Sequence, residues 1–387
     1  MKTIWLIHNA EPLPSNSSRR WRYGIISDFI EKNKGSYLRF KSNYDHFKKV
    51  RYKTNDNVKG PYCLYPTIPY KTNRSIRRIA AHKFEAISLT RKLSRHPAPH
   101  KVLISLPTIE TCVAVSEWCA RQSIPFVIDV RDLWPDQYLR IVPKKLHFLI
   151  KPYIKILRKK VYNVFQKAEF IIGISDEYVE WAEQFRSGKS VYKYPIYYDY
   201  SHIQICRNSF KPKKSLLINM VYVGSFSNAY DLETLCQAVL QQDNLKLHLI
   251  GDGPIFNKIK ALYGNEANIK LYGWLSSNEV TSILCKMDIG VLPYFPDALM
   301  TLPNKFYEYC FHGLPVLNSL VGSTNKEIAT NAIGFNYVNL DDLKNIIKNQ
   351  LTLEKVHEIK ANVEIYKDKI INSMNNDYQG LALKLLK

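Results

Sequence analysis

The run PNKFYEYCFHGLPV at residues 303–316 sets chemistry at helical spacing. Lys305, Glu308, Tyr309 and His312 fall at i, i+3, i+4 and i+7, one stripe of a helix. Pro303 suits the start of that helix, where its missing N–H costs no hydrogen bond. A lysine in the first turn opposes the helix dipole, so its placement makes electrostatic sense when an anion binds there too, and a phosphate is such an anion. A surface Lys–Glu pair stabilising the helix by roughly 0.2–0.5 kcal/mol accounts for the same spacing without a ligand. The elements around the run bear on that choice.

The run follows the apolar stretch DIGVLPY (288–294) and precedes LPVLNS (314–319), both of which read as strands. In open α/β sheets ligands collect at the carboxyl ends of strands. The same alternation extends along the chain. Residues 3–8, 101–106, 126–130 and 170–174 read as strands, with helices near 18–32, 73–93, 110–122 and 176–186. After a weakly patterned stretch at 195–215, strands are expected at 219–223, 246–250, 268–272, 288–292 and 315–318, again with helices between them. This is a parallel, doubly wound α/β pattern in two halves. Residues 39–70 are polar and irregular and support no assignment. The boundaries expected are a first domain at 1–200, a linker at 201–217, a second domain at 218–353 and a helical tail at 354–387.

PxKxxEYxxxGxPV at 303–316 resembles the nucleotide-sugar site of family 4 glycosyltransferases, especially the branch that builds bacterial surface polysaccharides. That resemblance implies a GT-B fold: two facing Rossmann-like, doubly wound domains, acceptor-binding first and donor-binding second, with a C-terminal helix crossing back onto the first. Further motifs carry it over most of the chain. VYVGSFSNAYDLETLCQAV (221–239) is similar to the loop that opens the donor domain, where Gly224 lets backbone approach a phosphate and Ser225 and Asn228 donate hydrogen bonds. LIGDGP (249–254) is similar to the family's GxGP turn, with Gly251 and Gly253. LYGWLSSNEV (271–280) resembles the segment bordering the nucleobase, which puts Trp274 beside the base. Pro303 and Asn304 complete the implied donor site.

By the same resemblance Lys305 stabilises the leaving diphosphate, Glu308 accepts from the ribose hydroxyls, and Asp132, in DVRDLWPD (129–136), orients a sugar with Arg131. The residues alone also allow a buried Arg131–Asp132 structural pair. The chain departs from the family in two places. Many relatives carry an Arg and a Lys on and after the first donor loop; here Ser225 and Tyr230–Asp231 stand nearby. The EX7E motif is half present, since Met300 occupies the first acidic position and Asp297 is only close to it.

The 387-residue chain has a formal net charge of +21. Residues 1–200 hold 36 Lys and Arg against 17 Asp and Glu, while the rest hold 19 against 17, so the first half implies an anionic partner. Arg19 and Arg20, at the start of an expected helix capped by Ser17 or Ser18, are cations where the dipole favours anions. An acceptor pyrophosphate would answer them. Residues 143–167 hold eight Lys or Arg and no acid, with apolar residues near helical spacing and Pro152 expected to kink or divide the helix. That composition suits a helix lying on anionic lipid, and equally one packed on its own sheet with a solvated basic face. Zinc-finger spacing, RNP-like aromatics and a basic region with heptads are all missing, so no nucleic-acid partner is expected.

No apolar run reaches the ~18 residues of a membrane span, and MKTIWLIHNAEP turns polar too early for a secretory leader. Seven scattered cysteines without CxxC spacing suit a reduced, cytoplasmic chain. With no DxD-like pair, no cofactor and no essential metal are expected. The reading is a retaining glycosyltransferase that moves a sugar from a nucleotide-sugar donor to a glycan acceptor, implied to be polyprenyl-diphosphate-linked, peripheral on the inner face of the membrane. A nucleotide-sugar epimerase of the same fold and a catalytically weak binding subunit are the alternatives.

Overall fold

The computed structural model describes all residues except 10, 12, 14–20, 47–48, 53–59, 73–74, 107, 187–189, 198–216, 241, 296–297 and 299. The chain divides into two compact units, Met1–Ile196 with Asn375–Lys387, and Tyr197–Met374.

Unit 1 is built on strands β1 (Thr3–Ile7), β2 (Ser36–Ser42), β5 (Tyr62–Tyr65), β6 (Lys101–Ser105), β7 (Phe126–Val130), β8 (Phe170–Gly173) and β9 (Val191–Lys193), all parallel and ordered β5-β2-β1-β6-β7-β8-β9. Strands β3 (Tyr44–Asp45) and β4 (Val50–Arg51) form a separate antiparallel ribbon. The helices are α1 (Arg22–Lys32), α2 (Ile76–Leu93), α3 (Ile109–Arg121), α4 (Tyr138–Ile141), α5 (His147–Lys167) and α6 (Asp176–Glu183). The central strands β6, β7 and β8 are buried at every position, which is why they read as mostly apolar runs. Strands β2 and β5 lie toward the edge, where only part of each strand is covered. Their sequences SYLRFKS and YCLY therefore carry no strong pattern, and this is the stretch that supported no assignment.

Unit 2 has strands β10 (Ile218–Val223), β11 (Leu245–Ile250), β12 (Ile269–Gly273), β13 (Ile289–Leu292), β14 (Val316–Asn318) and β15 (Gly334–Asn336), parallel and ordered β12-β11-β10-β13-β14-β15. Helices α7 (Leu232–Val239), α8 (Phe256–Tyr263), α9 (Ser277–Leu284), α10 (Asn304–Phe311), α11 (Ser323–Asn331) and α12 (Leu340–Asn349) connect or follow them. In both sheets the strand order reverses direction beside the first strand, at β1/β6 and at β10/β13. Such a reversal opens a crevice at the carboxyl ends of the two strands. β15, a three-residue edge strand, was too short to stand out in the sequence.

Helix α13 (Leu353–Leu386) ends the chain. Its last carbonyls are satisfied within unit 1, by Lys2 Nζ donating to Leu386 O at 2.6 Å and Lys101 Nζ donating to Lys384 O at 3.1 Å. Two expectations are corrected. Pro152 does not divide α5, which runs through it to Lys167 after a 3-10 turn at Lys144–Leu146; one lost backbone bond in the second turn is outweighed by the buried stripe Ile154, Leu157, Val161, Val164 and Phe165. Helix α1 begins at Arg22 with Trp21 as an N-cap that makes no side-chain bond, and residues 17–20 lie outside the described residues. Cys63, Cys112, Cys119, Cys236 and Cys310 are buried free thiols.

Candidate functional site

Pro303 is the N-cap of α10, in extended conformation, and Lys305 and Glu308 lie in its first five residues. His312 closes the helix as its C-cap, so the stripe ends one residue short of the expected i+7 position. What aims the helix is Tyr309. Its hydroxyl accepts from Val223 N at 3.0 Å and donates to Val291 O at 3.3 Å, tying the helix to β10 and β13 where the strand order reverses. The ring rests on Gly290, where any Cβ would run into it. The sequence reading noticed Tyr309 as part of the stripe but not this role; its spacing of i+4 from Lys305 was the available signal.

Lys305, one turn earlier, is thereby directed to the loop after β10. Its side chain as a whole is half-buried, and the ammonium end is enclosed. Nζ lies 4.1 Å from the centre of the Tyr230 ring and 4.5 Å from that of Tyr222, and donates to Tyr222 Oη at 3.3 Å. The Tyr230 ring packs tilted against Tyr294, centroids 4.7 Å apart. The Lys305 ammonium also lies on Gly224, where a Cβ would collide with it. Burial lowers the Lys305 pKa below the ordinary lysine value, with Tyr230 and Glu308 partly opposing the shift. A cation desolvated but held by ring faces is poised for an anion. Tyr222 and Tyr230 were missed as site residues; the sequence showed only that tyrosine stands near the position where relatives have a basic pair.

The two glycine loops lock together. Gly224 N donates to Ile250 O at 2.8 Å and Phe226 N donates to Asp252 O at 3.0 Å. Gly251 has φ 136°, and a Cβ there would strike the Gly224 carbonyl, so only glycine lets the loops meet. Gly253 sits against the Phe226 backbone in the same way. Ser225, Asn228 and Asn304 are exposed around this loop pair. Asp231 caps α7 by accepting from Thr234 N at 3.2 Å, a structural task. Glu308 is buried at 8 % exposure. Trp274 follows β12 and is 76 % exposed, making no core contribution. Met300 is half-buried, and Asp297 lies outside the described residues.

In unit 1, Arg131 does not pair with Asp132. It donates to His8 Nε2 at 2.8 Å and to Glu11 Oε1 at 3.1 Å. Glu11, 1 % exposed, also takes Arg39 at 2.8 Å and Tyr23 N at 3.1 Å, so it supplies the helix-start bond that no N-cap side chain provides. Burial and the nearby guanidinium keep His8 well below its ordinary pKa. The buried Arg–Asp pair of this motif is instead Asp129 with Arg22, two contacts of 3.2 Å with neither side chain exposed, while Arg22 Nη1 also donates to the Tyr194 and Pro195 carbonyls. Burial raises the Asp132 pKa, with the Gln137 hydrogen bond and the Arg131 charge partly opposing it. Arg19 and Arg20 lie outside the described residues.

Residues 218–353 match the family described as Glycosyl transferases group 1. That segment, and not the rest of the chain, carries the family's sequence pattern. No curated protein matches the chain in sequence. Among solved structures it is similar to WaaG, a glycosyltransferase involved in lipopolysaccharide biosynthesis, with 15% identity, a TM-score of 0.67 and 99% of each chain covered. HepE of Anabaena in complex with UDP gives 12% identity and a TM-score of 0.66 over 99% of this chain and 100% of that one. The lipopolysaccharide outer core galactosyltransferase WaaB gives 17% and 0.60 over 97% and 98%. These similarities show that the chain has the GT-B fold.

Proposed function

We propose that this chain is a glycosyltransferase that moves a sugar with retention from a nucleotide-sugar donor bound by unit 2 to a glycan acceptor bound by unit 1. The observation that carries the donor assignment is the Lys305 ammonium lying on Gly224, at the carboxyl end of β10 where strand order reverses. A diphosphate placed there meets a fixed cation and the backbone N–H groups of two interlocked loops, which is how charge developing on a leaving group is stabilised. Glu308 then serves the ribose hydroxyls as acceptor. In the transfer the acceptor oxygen bonds to the anomeric carbon, the anomeric carbon–phosphate oxygen bond breaks with its electrons going to the diphosphate, and a phosphate oxygen takes the acceptor proton. No step needs a metal, so activity should persist in excess EDTA at the level found with Mg²⁺; loss on chelation with recovery on adding Mn²⁺ or Mg²⁺ contradicts this scheme.

The acceptor is proposed to be lipid-linked and met at the inner membrane face. No helix among the described residues is long and apolar enough to cross a membrane. Support for surface attachment comes from α5, whose outward face presents Phe148, Leu149 and Ile156, each more than half exposed, beside exposed Lys151, Lys155 and Lys159. The function is tested by a thermal-shift panel of nucleotides and nucleotide sugars, because a ligand at 100 times its Kd stabilises by roughly 2.7 kcal/mol. One nucleotide class should respond and its sugar should be transferred or slowly hydrolysed; a flat panel overturns the donor assignment.

A further inference from the structure

In unit 1, residues at and after the ends of β1, β2, β6 and β7 line a polar pocket of about 110 Å³, at the reversal of strand order. It shares no residue with the donor site. Thr108 and Asp132 form its strand-end wall, and Glu85, His82, His46 and Arg78 stand among the side chains around it.

Two of these groups have hydrogen-bonding capacity that the described residues leave unused. Asp132 Oδ1 accepts from Gln137 Nε2 at 3.3 Å, while Oδ2 takes no hydrogen bond among the described residues. Thr108 is the N-cap of α3, in the extended conformation in which a threonine hydroxyl normally accepts from the helix, yet it makes no capping bond. It is only 8 % exposed. A hydroxyl and a carboxylate oxygen with spare capacity beside the same pocket can each take a hydrogen bond from a ligand.

The charge of the lining narrows what that is. Arg78 is the pocket's cation, and its Nε donates to His82 Nε2 at 3.3 Å. Burial, then Arg78, holds the His82 imidazole down to about 4, and burial, then Lys49 and Arg78, does the same for His46. Both imidazoles are thus neutral at physiological pH. An anionic ligand would meet the carboxyl groups of Glu85 and Asp132 against one guanidinium already engaged. Groups that both donate and accept without charge, such as hydroxyls, match this lining.

Resting on the acceptor role of unit 1 proposed above, we propose that this pocket holds an uncharged pyranose by adjacent hydroxyls, one donating to Asp132 Oδ2 and one paired with the Thr108 hydroxyl, and rejects uronic acids and sugar phosphates. The full chain is studied by saturation-transfer NMR with the nucleoside diphosphate that most raises its Tm, so that the donor site is filled. The probes are the methyl glycosides of glucose, galactose, mannose, rhamnose and N-acetylglucosamine, with methyl glucuronide and glucose 6-phosphate. At least one neutral glycoside should respond, the two anions should not, and the response should fall about tenfold in Asp132→Asn and in Thr108→Val. Asp132→Asn keeps the acceptor that Gln137 uses, and an unchanged nucleotide-induced Tm shift certifies that each variant is folded. A stronger response from the uronide or the phosphate, no response from any neutral glycoside while the nucleotide shift is intact, or full response in both folded variants overturns the pocket assignment. Loss of the nucleotide shift in the wild-type chain instead overturns the donor reading on which it rests.

Discussion

The Lys305 ammonium stands 4.1 Å from the centre of the Tyr230 ring and 4.5 Å from that of Tyr222. Lysine in the first turn of a helix faces the positive end of the dipole, and here two electron-rich rings offset that cost. The same residue is then available to a diphosphate, whose charge increases as the sugar departs.

Lys305→Ala should reduce turnover more than nucleotide affinity, because the interaction strengthens in the transition state. Glu308→Ala should weaken nucleotide binding by roughly 1.5–3 kcal/mol, the worth of charge-assisted hydrogen bonds. Calorimetry with the bound nucleotide and steady-state kinetics separate the two. Wild-type values in both variants dismiss the site.

Because burial disfavours the charged form of Lys305, its proton leaves at a pH below 10.5. Turnover should therefore fall on the alkaline side before that pH, as the cation is lost. Tyr230→Leu removes a ring face worth on the order of 0.5–2 kcal/mol to the ammonium, so the alkaline decline should move to still lower pH. Tyr230→Phe keeps the ring but loses the hydroxyl that hydrogen-bonds Lys305, so its decline should fall between those of wild type and Tyr230→Leu. An identical pH–rate profile in all three proteins would mean that Tyr230 does not hold the lysine.

Tyr309→Phe deletes the hydroxyl that bridges Val223 N and Val291 O. Leaving that strand-end N–H without its partner should cost about 1–3 kcal/mol, read as a lower midpoint in denaturant. Turnover should fall as well, since α10 and with it Lys305 lose their tie across the crevice. A variant as stable as wild type with full activity contradicts this account.

On the surface, α5 should bring the chain to anionic vesicles and not to neutral ones, with release at high salt. Each basic residue near the surface contributes about 1 kcal/mol, screened over roughly 8–10 Å at physiological salt. Lys151, Lys155 and Lys159 changed to Gln should weaken sedimentation with vesicles and leave nucleotide affinity intact. Arg158 is unsuitable for this test because it pairs with Asp136 and lies 4.6 Å from the Phe185 ring centre. A wild-type chain that ignores anionic vesicles at low salt would leave the basic half to be explained by a soluble anionic acceptor.

The sequence by itself determined the α/β class, the central strands and the run that holds Lys305 and Glu308. Parallel strands buried on both faces must be mostly apolar, and the local rules of helix starts and glycine turns act within a few residues. Strands β2, β5 and β15 escaped that reading because partial burial or shortness removes the pattern. Only the tertiary structure decided which side chains meet. Tyr222 and Tyr230 reach Lys305 from 83 and 75 positions away in the chain, Glu11 takes Arg131 away from its neighbour Asp132, and Arg22 finds Asp129 across 107 residues. Sequence spacing reports only neighbours on one element, whereas partners at such separations are set by strand order, and strand order is fixed by how the sheets bury their faces.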